Sequence, residues 1–474
     1  MKQLIYQLLP RLWGRGKFAS IDTGSLAYIK GLGVDYIWYT GIIRHASRWG
    51  RKPEKVVKGD AGSPYAITDY YDVNPYLASV QKNRMEEFRN LVRRTHEAGM
   101  KVLIDFVPNH VARENRNFGQ SDNRQLHWSP ENDFFYYPDQ ALQLPLPADG
   151  YTEMPARASG NAFTAAPGIN DWYETVKLNY CPWHTATWDK MLQILLFWAA
   201  QGVDGFRCDM VELVPPEFMQ WLIAAVKAEY PELLFVAEVY EKDKYRLYVE
   251  EVGFDLLYDK SGLYDTLRAV SCSGASSTGI TASWQFLGAL QPHMLNFLEN
   301  HDEQRLASDF FCGSPQAGYA ALAVSLLLNT APFMLYFGQE IGERGMQAEG
   351  FSGLDGRTSI FDWCKVPAFD HPDEEVLSRY RELLSLAKTP AFAEGATFDL
   401  CYCQEAGHFD AGRHFAWLRS DGKKTWLLVA NFGPGQEISV RIPPEALDYL
   451  GIKAVRTVYT QTVSERDYAV MAVE

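Results

Sequence analysis

Short apolar runs alternate along most of the chain with stretches in which apolar residues recur every three or four positions. The short runs, rich in β-branched and aromatic residues, predict strands at 4–8, 34–38, 101–106, 205–208, 234–237, 254–257, 295–298 and 332–336. The periodic stretches between them predict helices, among them 84–98, 187–201, 216–230 and 315–328. Alternating strands and helices indicate an α/β fold, and eight such strands are typical of a (β/α)8 TIM barrel.

Two regions depart from this alternation. The stretch 111–185 is rich in Asn, Asp, Gly and Pro, and it predicts an irregular domain inserted after the third strand, above the C-terminal ends of the barrel strands. Beyond residue 388, period-two runs at 414–418, 425–432 and 454–460 predict an antiparallel β-domain. The predicted organisation is a catalytic barrel (1–110 and 186–388), an inserted domain (111–185) and a C-terminal β-domain (389–474).

Composition and charge indicate which kinds of molecule the protein is expected to bind. The 474 residues carry a formal net charge of -14, and no Lys/Arg cluster stands out, which argues against a nucleic-acid partner. Hydrophobic residues make up 47% of the chain, but no apolar run is long enough to cross a membrane. We therefore predict a globular protein with a neutral substrate, no nucleic-acid partner and no membrane partner; the sequence specifies no oligomeric state.

The cysteines and the N-terminal stretch indicate the cellular compartment in which the protein is expected. The seven cysteines contain no CxxC pair and no His spacing typical of a zinc site, so we predict free, buried thiols. The first residues, MKQLIYQLLPRLWG, are interrupted by Gln3, Gln7 and Pro10, and no small-residue cleavage site follows them. We interpret this stretch as the first strand and predict a cytoplasmic location.

Four short stretches place polar residues where barrel strands are predicted to end. They are DFVPNH at 105–110, DGFRCDM at 204–210, FVAEVY at 235–240 and FLENHD at 297–302. Reactive side chains of such barrels lie at the C-terminal ends of strands. Arg207 and Asp209 are two residues apart in an extended strand, so both point to the same side. The guanidinium group should lower the pKa of Asp209 and keep it ionised, as a nucleophile requires.

Two further carboxyl groups complete a candidate set. Glu238 ends an otherwise apolar strand, and burial there should raise its pKa so that it holds a proton for a leaving oxygen. Asp302 follows His301 and can face an oxocarbenium-like centre. Any one of these acids could be a surface or capping carboxylate, but all three lie at predicted strand ends beside Arg207 and His110. Together they indicate a glycosidase, and two carboxyls about 5 Å apart would retain the anomeric configuration.

In order and spacing the four stretches resemble the four sequence regions of glycoside hydrolase family 13, the α-amylase family, and the resemblance covers the whole chain. It implies a barrel with an inserted domain B and a C-terminal β-domain. It also implies that Asp209 is the nucleophile, Glu238 the acid/base and Asp302 the transition-state stabiliser. The implied substrate is an α-glucan or malto-oligosaccharide.

The same resemblance assigns supporting roles. It implies sugar contacts for His110, Arg207 and His301, and it makes Asp105 the structural partner of Arg207. Tyr65, in SPYAITDYY, matches the tyrosine that stacks on the sugar at the cleaved bond. The stretch FMLYFGQEIG resembles the eighth strand and its loop, and we assign Gln339 and Glu340 a structural role.

The chain departs from the family pattern beside the nucleophile. Many starch-cleaving members have Lys and His three and four residues after the nucleophile, where this sequence has Glu212 and Leu213. The leaving-group subsites must therefore be built differently, which argues against ordinary endo-amylase specificity.

A second departure concerns calcium. In VKLNY the family often has an acidic calcium ligand where this chain has Lys177, although Asn109 matches a frequent ligand. An ammonium group repels a hard dication, so we predict that no cofactor is required and that calcium is dispensable. The alternative is that Lys177 points to solvent while Asp171 or Glu174 completes a metal site.

The predicted function is a retaining glycoside hydrolase that cleaves α-1,4-glucosidic bonds of malto-oligosaccharides or starch-type glucans. One alternative is a glucosyl transferase or phosphorylase-like member, because a sugar or phosphate can capture the same covalent intermediate. Another is a non-catalytic, amylase-like binding protein, which the complete set of three acids argues against.

Overall fold

The computed structural model describes residues 2–115, 128–129, 133–148, 150–181, 186–347, 351–405, 407–453 and 456–473. Its strands are β1 (Leu4–Leu8), β2 (Tyr36–Tyr39), β3 (Ile43–His45), β4 (Ile67–Val73), β5 (Lys101–Phe106), β6 (His110–Ala112), β7 (Tyr136–Tyr137), β8 (Ala156–Arg157), β9 (Thr175–Lys177), β10 (Gly205–Cys208), β11 (Leu234–Ala237), β12 (Leu256–Tyr258), β13 (Met294–Phe297), β14 (Phe333–Tyr336), β15 (Ala396–Asp399), β16 (His414–Ser420), β17 (Thr425–Asn431), β18 (Gln436–Arg441), β19 (Val458–Val463) and β20 (Tyr468–Ala472). The α-helices are α1 (Thr23–Gly31), α2 (Arg84–Glu97), α3 (Ala186–Ala200), α4 (Pro216–Glu229), α5 (Asp265–Ser273), α6 (Thr278–Leu287), α7 (Tyr319–Leu327), α8 (Glu374–Ala387), α9 (Pro390–Ala393) and α10 (Pro444–Leu450).

Eight parallel strands close into a barrel in the order β1-β14-β13-β12-β11-β10-β5-β2. This confirms the predicted (β/α)8 fold, and each of the eight predicted strands is present with shifts of at most two residues. Nearly every barrel-strand residue is buried, because helices cover the outer face while side chains fill the interior. The predicted helix at 315–328 differs in its start: Gln316–Gly318 forms a 3₁₀ turn, and α7 begins at Tyr319.

The start of β10 depends on a glycine. A Cβ atom at Gly205 would lie 2.2 Å from the carbonyl oxygen of Leu234 on the neighbouring strand β11. Only glycine therefore allows β10 to pair with β11 at this register, which aligns Arg207 with Val236 and Cys208 with Ala237. The same register places the residues that follow the two strands, Asp209 and Glu238, side by side at the barrel mouth.

The segment between β5 and α3 carries small two-stranded sheets. β6 pairs antiparallel with β9, so that His110 lies opposite Lys177, and β7 pairs with β8. The buried Arg113 donates to Glu153 at 2.8 Å and to the carbonyl oxygen of Tyr173 at 2.5 Å. Residues 116–127, 130–132, 149 and 182–185 of the predicted inserted domain lie outside the described residues.

The C-terminal region is an antiparallel sheet in the order β15-β16-β17-β20, beside the pair β18–β19. This confirms the predicted antiparallel character, and the three predicted runs correspond to β16, β17 and β19, although residues 454 and 455 lie outside the described part. The buried Arg419 ties the sheet to the barrel by donating to the carbonyl oxygens of Leu328, Ala391 and Phe392 at 2.9–3.1 Å. The sequence pattern missed β15, β18 and β20.

The seven cysteines all carry free thiols. Only Cys208 and Cys312 are buried, whereas Cys181 and Cys272 are exposed, so the expectation of buried thiols is wrong for most of them. Among the described residues, none of the helices is long and apolar enough to cross a membrane. The cytoplasmic location stays a prediction.

Candidate active site

A pocket of about 250 Å³ opens at the C-terminal ends of the barrel strands. Five of the residues assigned from the sequence to catalysis or substrate binding line it: Tyr65, His110, Asp209, Glu238 and Asp302. They come from different strands and loops that are far apart in sequence, and the closed barrel brings them to one mouth. The pocket is therefore the candidate active site.

Arg207 lies beneath the pocket and contacts two carboxyl groups at once. Its Nη1 donates to Asp209 Oδ1 at 2.7 Å, and its Nη2 lies 2.7 Å from Glu238 Oε2. Its Nε donates to the hydroxyl of Tyr258 at 3.2 Å, and the guanidinium packs 5.4 Å from the ring centre of Trp38. The guanidinium group is thus fixed on all sides, and it holds the two carboxyl groups close together.

The direction of the pKa shift of Asp209 differs from the expectation. Burial raises the pKa of Asp209 well above its ordinary value; the Arg207 contact acts in the opposite direction, and the neighbouring Glu238 adds to the rise. Arg207 thus lowers the pKa of Asp209 as predicted, but the expectation that the net shift is downward is wrong. The reason is that burial of the carboxyl raises its pKa by more than the adjacent guanidinium group lowers it.

Glu238 is held by donors from two directions. The hydroxyl of Tyr240 donates to Oε1 at 2.6 Å, and the backbone N–H of Met210 donates to Oε2 at 2.9 Å. Met210 adopts φ +44° and ψ +48°, a left-handed conformation that is costly for a residue with a side chain. The backbone directly after Asp209 is therefore strained, and the same residue fixes Glu238.

His301 and Asp302 follow β13 and lie next to each other at the pocket. Nε2 of His301 lies 3.1 Å from Asp302 Oδ2 and is hydrogen-bonded to the hydroxyl of Tyr65. The amide nitrogen of Gln7 lies 2.8 Å from Nδ1 of the same ring. Burial holds the pKa of His301 well below its ordinary value, and Arg207 acts in the same direction, so the imidazole is neutral.

Asp105 supports the site in another way than predicted. Its carboxylate accepts hydrogen bonds from Trp38 Nε1 at 3.2 Å, from the backbone N–H of Gly41 at 3.0 Å and from the hydroxyl of Tyr65 at 3.4 Å. Asp105 and Arg207 are register partners on β5 and β10, but they form no ion pair among the described residues. Asp105 therefore positions Tyr65, because Arg207 is already engaged by the two carboxyls in front of it.

His110 lines the pocket from the segment after β5. Its ring lies 5.1 Å from that of Trp172, and burial lowers the pKa of His110 to about 3, so the imidazole is neutral. Asn109 Nδ2 lies 3.1 Å from His110 Nδ1 and donates to the carbonyl oxygen of Gly160 at 2.9 Å. Asn109 thus pins the loop that presents His110.

The position expected for a calcium ligand holds an ammonium group that points inward. Lys177 Nζ donates to Asn109 Oδ1 and, at 2.5 Å, to the carbonyl oxygen of Leu213. The residues of the alternative site are engaged elsewhere: Asp171 accepts from the N–H of Gly168, and Glu174 pairs with Lys58. Within the described part of the chain, no three His, Cys, Asp or Glu side chains are arranged to hold a metal. These residues do not fit a calcium site.

Glu212 and Leu213, which depart from the family pattern three and four residues after the nucleophile, do not line the pocket. The carboxylate of Glu212 accepts from the backbone N–H groups of Tyr240 at 2.7 Å and Glu241 at 3.1 Å. Leu213 offers its carbonyl to Lys177. Both residues therefore stabilise loops instead of holding a leaving group.

The two residues assigned a structural role make buried contacts behind the barrel. Glu340 Oε1 accepts from the hydroxyls of Tyr6 at 2.7 Å and Tyr28 at 2.9 Å. Gln339 Nε2 donates to the hydroxyl of Tyr380 at 3.1 Å. These contacts tie the loop after β14 to β1, α1 and α8.

Sequence reasoning missed several residues of the pocket and its support. Tyr240 could have been found, because it lies two residues after Glu238 and so shares its side of the chain. Tyr258, at the end of β12, carried the same strand-end signal. Lys58 was not noticed, and Glu174 was considered only as a possible metal ligand. Both line the pocket from irregular segments, where no periodic pattern indicates which side chains point inward.

Comparison with known proteins identifies the family. Residues 14–366 match the family model described as the catalytic domain of α-amylase. The chain belongs to the α-amylase family. This confirms the resemblance to glycoside hydrolase family 13 that the four short stretches indicated.

Relatives in the α-amylase family differ in length and in named activity. The α-amylase 3 of Dictyoglomus thermophilum is 26% identical over 341 residues, covering 69% of this chain and 60% of that protein. The α-1,4-glucan:maltose-1-phosphate maltosyltransferase of Picrophilus torridus is 26% identical over 262 residues, covering 53% of this chain and 35% of that protein. The chain thus spans less than two thirds of the length of each of these relatives.

Among solved structures, the maltogenic α-amylase AmyB of Thermotoga neapolitana superposes with a TM-score of 0.67 at 22% identity. The match covers 99% of this α-amylase-family chain and 96% of that protein. At this identity the likeness establishes a shared fold.

Proposed function

We propose that this chain is a retaining α-glycosidase that hydrolyses α-1,4-glucosidic bonds of malto-oligosaccharides or starch-type α-glucans. The observation that carries the proposal is the contact of one guanidinium group, that of Arg207, with both Asp209 and Glu238 in a pocket that also contains Asp302. Retention requires two carboxyls at short separation, about 5 Å, and a shared guanidinium supports that closeness. The relative named α-amylase supports the substrate class.

In the first half-reaction, a carboxylate oxygen of Asp209 attacks the anomeric carbon while Glu238 protonates the departing glycosidic oxygen. The product is a covalent glycosyl ester on Asp209 and a free leaving sugar. In the second half-reaction, Glu238 takes a proton from water as the water oxygen attacks the same carbon and releases Asp209. Asp302 contributes negative charge opposite the oxocarbenium-like transition state in both steps.

This scheme needs one proton on the pair of carboxyl groups. Burial and the neighbouring Glu238 raise the pKa of Asp209, while the single positive charge of Arg207 offsets one negative charge. Two uncompensated negative charges in the buried site would repel each other. Nucleophilic attack requires the ionised form of Asp209, so in this scheme Glu238 carries the proton when the substrate reacts.

The stereochemistry of the first product tests the proposal. We expect the newly released reducing sugar to be the α-anomer, because two successive displacements at the anomeric carbon restore its configuration. Proton NMR during the first minutes of maltotriose hydrolysis, before mutarotation, measures the anomer directly. Early appearance of the β-anomer would exclude Asp209 as a nucleophile.

A transferase is the second candidate, because one relative is a named maltosyltransferase and the covalent intermediate can react with a sugar or phosphate. The same maltotriose reaction, run with and without inorganic phosphate, separates the two. Hydrolysis yields only sugars shorter than maltotriose, whereas transfer yields longer oligosaccharides or a sugar phosphate.

We further propose that the enzyme needs no calcium, because the Lys177 ammonium takes the role of a bound cation between Asn109 and Leu213. Excess EGTA should leave both activity and the melting temperature unchanged, and added calcium should not raise the melting temperature. Lys177→Met should cost about 2 kcal/mol of stability and weaken substrate binding, because two charge-assisted hydrogen bonds are lost, one of them to the Asn109 side chain beside His110. Activity lost in EGTA and restored by calcium would contradict the proposal.

A further inference from the structure

A buried ion pair lines the pocket but has no part in the scheme above. Lys58 Nζ lies 3.7 Å from Glu174 Oε2, and the side chains are only 6% and 3% exposed. The two residues come from different segments, Lys58 from the loop between β3 and β4 and Glu174 from the residue directly before β9. Both face the same pocket as Asp209 and Glu238.

The pair is left short of hydrogen bonds. Glu174 Oε2 is buried and accepts no hydrogen bond among the described residues, and 3.7 Å is too long for one with Lys58. Around Lys58 Nζ stand the rings of Tyr173, Phe351 and Phe361, at 5.3, 5.8 and 5.9 Å. An incompletely satisfied buried pair is costly, and it marks a place where a polar ligand would complete the bonding.

The barrel order gives the side of the pocket on which the pair lies. Lys58 follows the second barrel strand, β2, and Phe361 follows the eighth, β14; these two strands flank β1. Glu238 follows β11. This strand is three strands from β2 in one direction around the barrel and three strands from β14 in the other. Lys58 therefore stands across the barrel mouth from the proton donor.

This placement determines which part of the substrate meets the pair. Because Glu238 protonates the leaving oxygen, the leaving group lies beside Glu238. The glycone, the part of the sugar that becomes attached to Asp209, extends toward the opposite wall. Lys58 and Glu174 thus face the non-reducing side of the bound sugar.

We propose that Lys58 and Glu174 bind a hydroxyl group at the non-reducing end of the substrate and thereby make the enzyme act from chain ends. The hydroxyl oxygen accepts a hydrogen bond from Lys58 Nζ while its O–H donates to Glu174 Oε2, so the hydroxyl group bridges the gap between the two side chains. An internal glucose unit carries a glycosidic oxygen in place of its 4-hydroxyl and has no proton to donate there. Its binding would leave Glu174 unpaired, so internal attack is disfavoured.

The inference rests on the proposed glycosidase function, and a matched pair of substrates tests the two separately. One is 4-nitrophenyl α-maltopentaoside, and the other is the same compound with a 4,6-O-ethylidene group on its non-reducing sugar. The free substrate should be hydrolysed with a kcat/KM at least ~100-fold above that of the blocked one. Equal hydrolysis of the two substrates would overturn the inference and leave the proposed function standing. Hydrolysis of neither substrate would contradict the inference and the proposed function alike.

Variants of Lys58 and Glu174 test whether these two residues cause the preference for a free chain end. Lys58→Met and Glu174→Gln should each raise KM for the free substrate ~10-fold or more, with a smaller change in kcat. The double variant removes both charges, so it folds without an unpaired buried ion, and it should discriminate far less between free and blocked substrates. Unchanged KM and discrimination in the folded double variant would overturn the inference.

Lys190→Met is the matched control. Lys190 pairs with the buried Asp133 at 2.5 Å, at the start of α3 and away from the pocket lining. This variant loses a comparable ion pair, so its melting temperature should fall while KM and discrimination between the two substrates remain at wild-type values. A merely structural role of Lys58 would produce the same pattern in Lys58→Met as in Lys190→Met.

Discussion

Asp209→Asn is expected to lower kcat at least ~100-fold on any α-1,4-linked malto-oligosaccharide, because the amide cannot form the glycosyl ester. The variant should remain folded and melt at or above the wild-type temperature. Asparagine is uncharged, so the buried site no longer holds two carboxyl groups that can both be negatively charged. Initial-rate kinetics on maltotriose and thermal unfolding measure the two effects. Loss of activity with an intact fold separates chemistry from stability.

The matched control for this change is Asp373→Asn. Asp373 caps α8 by accepting from the N–H groups of Glu375 and Val376 at 3.1 Å, and asparagine caps helices about as well. Its activity should stay near wild type. Near wild-type turnover from Asp209→Asn would instead falsify the assignment of the nucleophile.

Glu238→Gln is expected to lower kcat on natural oligosaccharides by ~10²–10⁴-fold, because glutamine cannot protonate the leaving oxygen. The loss should be much smaller in the first half-reaction of a 2,4-dinitrophenyl α-glucoside, whose leaving group needs no proton. Azide should then restore turnover, because this anion attacks the glycosyl ester without a general base and releases the α-glycosyl azide and the Asp209 carboxylate. Stopped-flow absorbance and product NMR measure both steps.

Glu212→Gln provides the control for this second change. Glu212 is also a glutamate near the barrel mouth, but its carboxylate binds the backbone of the loop after β11 and lies outside the pocket lining. Its turnover should remain within about threefold of wild type. A Glu238→Gln enzyme that loses activity equally on both classes of substrate, without rescue by azide, would contradict the acid/base role.

Much of the fold follows from periodicity that can be seen along the chain. Each barrel strand is a short apolar run and each covering helix has an apolar stripe, so strand number and parallel order could be predicted. The spacing of two between Arg207 and Asp209 also predicted that both side chains point into the barrel mouth, since alternation in a strand is a local property.

Contacts across the barrel mouth could not be predicted in this way. Local alternation gives the direction of a side chain but not its partner, which depends on how loops from distant strands pack. The contact of Arg207 with Asp209 was expected, but the second partner of Arg207 is Glu238 and not Asp105, which positions Tyr65.

What the sequence by itself determined is the set of eight barrel strands, the side of the β10 strand that faces the site and the three acids at the strand ends. Only the tertiary structure decided the sign of the pKa shift of Asp209, because burial depends on everything packed around the carboxyl and here outweighs its one adjacent guanidinium. The tertiary structure also decided that Lys58 meets Glu174. These residues belong to irregular segments without a period, and only closure of the barrel brings such segments together over one pocket.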